Sequence, residues 1–190
     1  MLMKRLDEVF SVERGLSTHY LSEDGVEVPL LKMKDIQDGS INTDSIARVK
    51  VRETPLLDKS KIRIGDVIIT TRGTNFRAIV ADKSTEDFVI SASLAILRRY
   101  QSSEVDPEIV AAYLNSTTGQ RELWKWATGA GIMGLNIKRL KEVLIPILDH
   151  ESQKNLSYYL SLARERKISL MKDLELQEMF IDAIFMDMVR

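Results

Sequence analysis

The chain has 190 residues, 27 Lys and Arg against 28 Asp and Glu, and a net charge of −1; it is 44% hydrophobic and 29% charged, a soluble globular composition with apolar mass for one core plus an appendage. It has no Cys, which excludes disulfides and thiolate chemistry and makes a reducing cytoplasm the expected setting. No signal-peptide pattern opens it and no apolar run nears the roughly 20 residues that cross a bilayer, so no membrane partner is expected.

In chain order, Leu6-Asp-Glu-Val-Phe-Ser-Val to Gly15 reads as a short helix or turn followed by an extended stretch. Val26 to Lys34 alternates in part and reads as a strand, and Gln37-Asp-Gly-Ser as a turn. Ile62 to Gly73 is β-rich, broken at Gly65-Asp66. Arg77 to Ala81 and Asp87 to Arg98 are two further strands, dense in β-branched and apolar residues. At Asp106-Pro107 the texture turns helical, with Asp106 as N-cap and Pro107 in the first turn. Ile109, Val110, Tyr113 and Leu114 make one apolar stripe, and Leu123, Trp124 and Ala127 another after the break at Ser-Thr-Thr-Gly. A three-glycine loop (Gly129 to Gly134), a short helix over Asn136 to Val143 and an edge strand at Leu144-Ile-Pro-Ile-Leu follow.

The last forty residues carry a heptad seam: Leu156, Leu160, Ala163, Lys167, Leu170, Leu174, Gln177, Ile181, Ile184 and Met188 at alternating steps of four and three. The expected architecture is therefore α+β: a mixed, β-rich globular domain with small helices over residues 1–150, then a long C-terminal α-helix over 151–190 forming an antiparallel coiled coil. A parallel in-register pair would bury Lys167 against its own copy. An antiparallel pair centred on Lys172 instead sets Leu156 against Met188, Leu160 against Ile184, Ala163 against Ile181 and Lys167 against Gln177. A two-fold antiparallel homodimer is expected. The competing readings are a helix folded against its own domain or against another subunit. Leu176, Met179, Phe180, Ala183, Phe185 and Met186 lie off the seam and call for further burial, on the partner's globular domain or beneath another subunit.

Catalysis by the chain itself is not expected, and neither a metal nor a cofactor is implied. His19 and His150 are the only histidines and have no metal-binding spacing, and no phosphate-binding or nucleophile motif is present. Nucleic acid fares better. From Ser45 to Arg77 eight basic residues outnumber three acidic ones. Within that stretch, Thr70-Thr-Arg-Gly-Thr-Asn-Phe-Arg gathers base-reading and phosphate-bonding side chains after a strand. Thr71, Arg72, Thr74, Asn75 and Arg77 are the candidate DNA contacts, with Lys50, Arg52 and Lys61 as candidate phosphate contacts and the Gly129–Gly134 loop shaping the rim. By composition alone the same stretch also reads as a polar hairpin.

Several segments, in order, resemble one half of a type I restriction–modification specificity subunit. They are Leu6-Asp-Glu-Val-Phe-Ser-Val with Gly15, Val28-Pro-Leu-Leu-Lys-Met-Lys-Asp-Ile-Gln-Asp-Gly-Ser-Ile, Ile64-Gly-Asp-Val-Ile-Ile-Thr-Thr-Arg-Gly-Thr, Ala92-Ser-Leu-Ala-Ile-Leu-Arg, Tyr113-Leu-Asn-Ser with Gln120, Gly129-Ala, and Leu140-Lys-Glu-Val-Leu-Ile-Pro with Gln153. The resemblance implies a non-catalytic target recognition domain reading half of a split site in double-stranded DNA. It also implies a connecting helix that sets the spacing and docks DNA methyltransferase and restriction subunits. Members of that family commonly carry two recognition domains and two such helices; this chain has one of each, so a pair of copies would read an inverted repeat. The alternative is a coiled-coil scaffold that does not touch DNA.

Overall fold

A computed structural model of the chain describes residues 2–37, 39–44, 46–129 and 133–188. It divides into two units, residues 1–149 and 150–190. In chain order the first holds β1 (Leu2–Arg5), α1 (Leu6–Val9), β2 (Phe10–Arg14), β3 (Leu21–Leu31), β4 (Ile36–Gln37), β5 (Ser40–Ile41), β6 (Ala47–Val51), α2 (Pro55–Ser60), β7 (Val67–Thr70) and β8 (Ala78–Val80). It continues with β9 (Val89–Ile90), β10 (Leu94–Arg99), α3 (Pro107–Asn115), α4 (Thr117–Trp126), α5 (Ile137–Leu140) and β11 (Leu144–Ile147). The second unit is one helix, α6 (His150–Met188). The class is α+β with a long C-terminal helix, as the sequence predicts.

The central element is an antiparallel sheet in the order β2-β10-β7-β8. Its middle strands are apolar over Val67–Ile69 and Leu94–Leu97, where both faces are covered. Val67, Ile69, Ala95 and Leu97 pack on one side with Leu114 and Leu123 of α3 and α4. Ile68, Leu94 and Ile96 pack on the other with Leu31, Ile62 and Ile90. A second sheet, β6-β3-β9, has its own cluster of Leu16, Val28, Leu30, Val51, Leu57 and Val89. β1 and β11 form an antiparallel two-stranded ribbon with Pro146 opposite Met3, so Pro146 does sit in a strand with a free edge.

The turn chemistry follows the sequence. The Asp106 side chain accepts from the Glu108 N–H with Pro107 at the first helical position. Ser116 closes α3 and caps α4, so the break before Gly119 is a single residue and Gly119 is already helical. Asp66 closes the Ile64–Gly65 turn: its carboxylate accepts from the Arg63 N–H (2.8 Å) and from Arg98 Nε and Nη2 (3.0 and 2.7 Å), with its side chain only 3% exposed.

Four elements differ from the sequence reading. Ile62 to Ile64 is not strand, because Ile62 plugs the core while Ile64 sits in the turn. The single strand expected over Asp87 to Arg98 splits at Ser91–Ser93 into β9 and β10, which serve different sheets. β3 begins earlier, at Leu21, and ends at Leu31, where a 3-10 turn at Met33–Asp35 takes over. The expected helix over 136–143 stops at Leu140. β6 and α2 were not anticipated, although Thr54-Pro55 carries the same capping signal as Asp106-Pro107.

Candidate nucleic-acid interface

β7 and β8 are joined by residues 71–77, and this loop is held from two sides. In an edge strand the N–H and C=O groups of alternate residues point away from the sheet and lack a partner. Arg77 turns its carbonyl inward to the Thr70 N–H (2.9 Å), which leaves Phe76 and Ala78 facing outward. Two side-chain amides take the place of the missing strand. The Ala78 N–H donates to Asn115 Oδ1 (2.9 Å) and Asn115 Nδ2 donates to the Ala78 carbonyl (2.7 Å). The Phe76 N–H donates to Gln120 Oε1 (3.1 Å), and Gln120 Nε2 donates to the Phe76 and Leu114 carbonyls (2.6 and 2.7 Å).

Phe76 is fully buried, with Trp124 5.6 Å from it ring to ring. On the other side, the Thr71 carbonyl accepts from the Leu135 N–H (2.9 Å) and Arg72 bridges to Gly134. Gly73 has φ +115°, a conformation that L side chains rarely adopt. The loop is thus a fixed polar rim, not a loose hairpin.

Elsewhere on α4, Glu122 bonds Lys125 and Trp126 of the same helix. Burial alone would raise this carboxyl, but hydrogen bonds from Lys125 and Trp126 outweigh it and hold the group below its ordinary value. Nearby, burial raises the Tyr113 hydroxyl, and the Glu122 charge adds to the shift.

The candidate contacts separate into four places. Arg72, Thr74, Asn75 and Arg77 are exposed on the fixed loop, and Arg72 and Arg77 have no acidic partner among the described residues. Thr71 is only 5% exposed and lies in the wall of a cleft. Lys50 and Arg52 lie on or just after β6 in the other sheet, and Lys50 stands opposite Glu27, which already pairs with Arg48. Lys61 pairs with Asp58 at 2.9 Å. Of the Gly129–Gly134 loop, residues 130–132 lie outside the described residues.

The cleft, of about 560 Å³, is where the structure adds residues that the sequence reading missed. Arg14 and Lys138 join Thr71 and Arg72 in its lining. No linear signal marks this convergence, since β2, the β7–β8 loop and α5 are brought together by the β2-β10-β7 order, the packing of α5 on β2 and the backbone bonds between residues 71–73 and 133–135. Among the described residues no group of three His, Cys, Asp or Glu is placed to hold a metal, and no helix is long and apolar enough to cross a membrane.

α6 buries none of its residues. Its seam side chains Leu156, Leu170, Leu174, Ile181, Ile184 and Met188 are between 36% and 76% exposed, and Phe180, Phe185 and Met186 off the seam between 62% and 75%.

Among solved structures, the chain resembles specificity subunits of type I restriction–modification systems. It is 19% identical to the S subunit from M. genitalium (TM-score 0.55, 87% of this chain and 39% of that one). It is 23% identical to the HsdS subunit from Thermoanaerobacter tengcongensis (TM-score 0.62, 90% and 39%). A chain from a structure concerning complex assembly and conformational transition of the type I R-M system is 22% identical (TM-score 0.61, 89% and 39%). This chain therefore spans about two fifths of the length of each, and its fold is that of the matched part of such a subunit. No protein-family model matches the sequence, and no curated protein matches it.

Proposed function

We propose that the chain is a DNA-sequence-recognition subunit of a type I-like restriction–modification system, without catalysis of its own, that works as a dimer. The observation that carries this is the fold shared with S subunits over 87% to 90% of the chain. A rigid loop bearing uncompensated Arg72 and Arg77 supports it at the residue level. In this reading Arg72, Thr74, Asn75 and Arg77 read base edges, Thr71 sets the loop floor, and Lys50, Arg52 and Lys61 contact phosphates. α6 joins two copies in antiparallel fashion through Leu156 to Met188, and partner N6-adenine methyltransferase and restriction subunits are guided to a split, palindromic site. Residues 1–150 form the recognition domain and 151–190 the dimerisation helix.

The test is co-expression with a type I methyltransferase subunit and mapping of methylated adenines. The expected result is methylation, dependent on this chain, at a two-part motif whose halves are inverted repeats. Absence of chain-dependent methylation together with salt-insensitive or absent DNA binding overturns the reading. A second reading, a scaffold that never touches DNA, draws on the exposed apolar side chains of α6 alone. It predicts partner capture unaffected by salt.

A further inference from the structure

Three cations from distant parts of the chain surround the cleft beside β10. Arg14 ends β2, Arg72 follows β7, and Lys138 lies in α5. Arg14 pairs with Ala95 on one side of β10 and Thr70 with Leu94 on the other, so the two strand ends stand two strand spacings apart, roughly 10 Å.

Thr71, Thr128 and Asn136 add polar lining, and Ala92, Leu94, Leu135 and Ile137 the apolar part. No Asp or Glu is among these residues, although the chain as a whole has 28 acidic residues to 27 basic ones. Arg14, Arg72 and Lys138 are exposed and have no acidic partner among the described residues. Like charges gathered around one concavity raise a positive potential that concentrates anions there. At about 560 Å³ the cleft is far larger than a lone phosphate needs.

We propose that this cleft takes the phosphodiester backbone of duplex DNA, with Arg14 and Lys138 as phosphate contacts and Arg72 at the point where backbone gives way to bases. The proposal rests on the DNA reading above and names contacts that reading lacked. It gives the loop a fixed register: backbone held at Arg14 and Lys138 presents the adjoining bases to Arg72, Thr74 and Asn75.

The experiment is a salt titration of full-length protein against a labelled duplex of arbitrary sequence, from about 50 to 200 mM. Arg14→Ala combined with Lys138→Ala is expected to reduce the slope of log affinity against log salt by about 1.8, near 0.9 per lost contact. The loss should be the same for every duplex sequence. The charge-preserving pair Arg14→Lys and Lys138→Arg is expected to keep the parent slope. An unchanged slope in the Ala pair, while the parent binds DNA, overturns the cleft assignment and leaves the DNA reading standing. A parent that binds no duplex at any salt overturns both. Adenosine monophosphate serves as the second probe: if the Ala pair loses its binding but keeps the duplex slope, the cleft is a free-nucleotide pocket and the proposal fails.

Discussion

Replacing Asn115 with Ala removes one of the two amides that stand in for a fifth strand. The deletion takes away both hydrogen bonds to Ala78, at 2.9 and 2.7 Å, and leaves the N–H and C=O of a residue only 3% exposed without their partner. A net hydrogen bond contributes about 1 kcal/mol, and a buried group left unsatisfied costs about 1–3 kcal/mol. Asn115 is itself exposed, so water replaces part of the lost bonding and the expected destabilisation is roughly 1–3 kcal/mol. That is a sizeable share of the stability of an ordinary domain, about 5–15 kcal/mol.

Urea unfolding followed by circular dichroism measures it, read as a shift in midpoint at constant m-value. Asn115→Asp should not rescue, since the carboxylate keeps an acceptor for the Ala78 N–H but sets a second oxygen against the Ala78 carbonyl. A loss below about 0.5 kcal/mol, the range of an ordinary surface substitution, refutes the surrogate-strand argument. Because the clamp fixes residues 71–77, the variant should also lose discrimination between DNA sequences while keeping salt-dependent binding.

Arg72→Ala should weaken binding to the cognate half-site by roughly 1–3 kcal/mol if the side chain reads a base; a titration at fixed salt measures this, and equal loss on every sequence would make it a phosphate contact instead. Asp66→Ala strands Arg98, whose side chain is 18% exposed, and should cost roughly 3–5 kcal/mol in urea unfolding. Glu122 is held below its ordinary value, so it contributes stability that is present above the unfolded-state pKa and is lost as pH falls through the lower folded value. Glu122→Gln should therefore flatten the acid limb of a stability–pH curve below about pH 4.3, and an unaltered limb counts against the Lys125 and Trp126 account. Since the chain has no Cys, mixing Lys167→Cys with Gln177→Cys gives a clean register test: disulfide between the two variants supports the antiparallel pair, and disulfide within Lys167→Cys alone refutes it.

What could be read from the sequence was what local chemistry dictates. Asp106-Pro107 announced α3, the apolar density of Val67 to Ile69 and Leu94 to Leu97 announced the central strands, and the unbroken final stretch announced α6. Misreadings arose where tertiary position decides. Ile62 and Ile64 are the same residue type two apart, yet one is fully buried and the other 57% exposed at a turn. The Ser91–Ser93 crossing between sheets lies between two apolar runs that look like one. Gly119 reads as a helix breaker, but a Cβ there would meet the Tyr113 carbonyl oxygen at 2.0 Å, so it is the contact that lets α4 fold back on α3. The site was half visible for the same reason. Thr-Arg-Gly-Thr-Asn displays its chemistry locally, whereas Asn115 and Gln120 reach it from 37 and 44 residues away, and Arg14 and Lys138 from opposite ends of the domain.

In the proposed antiparallel homodimer, the two polar residues of the α6 seam bear on recognition more than on stability. A single domain touching a few base pairs commands little discrimination, about 1–3 kcal/mol per base pair. Joining two domains turns the second contact into an intramolecular one, at an effective concentration set by the connection. The gain survives only if both half-sites are met at once, so the length of the connection must be fixed. An all-Leu seam would tolerate sliding: a slip of one heptad moves one helix roughly 10 Å along its partner, close to three base pairs of duplex. Pairing Lys167 with Gln177 in one layer penalises each slipped register by setting a charged or amide side chain against Leu or Ile. Under the antiparallel reading, the least apolar positions of the seam are therefore the ones that set the distance between half-sites.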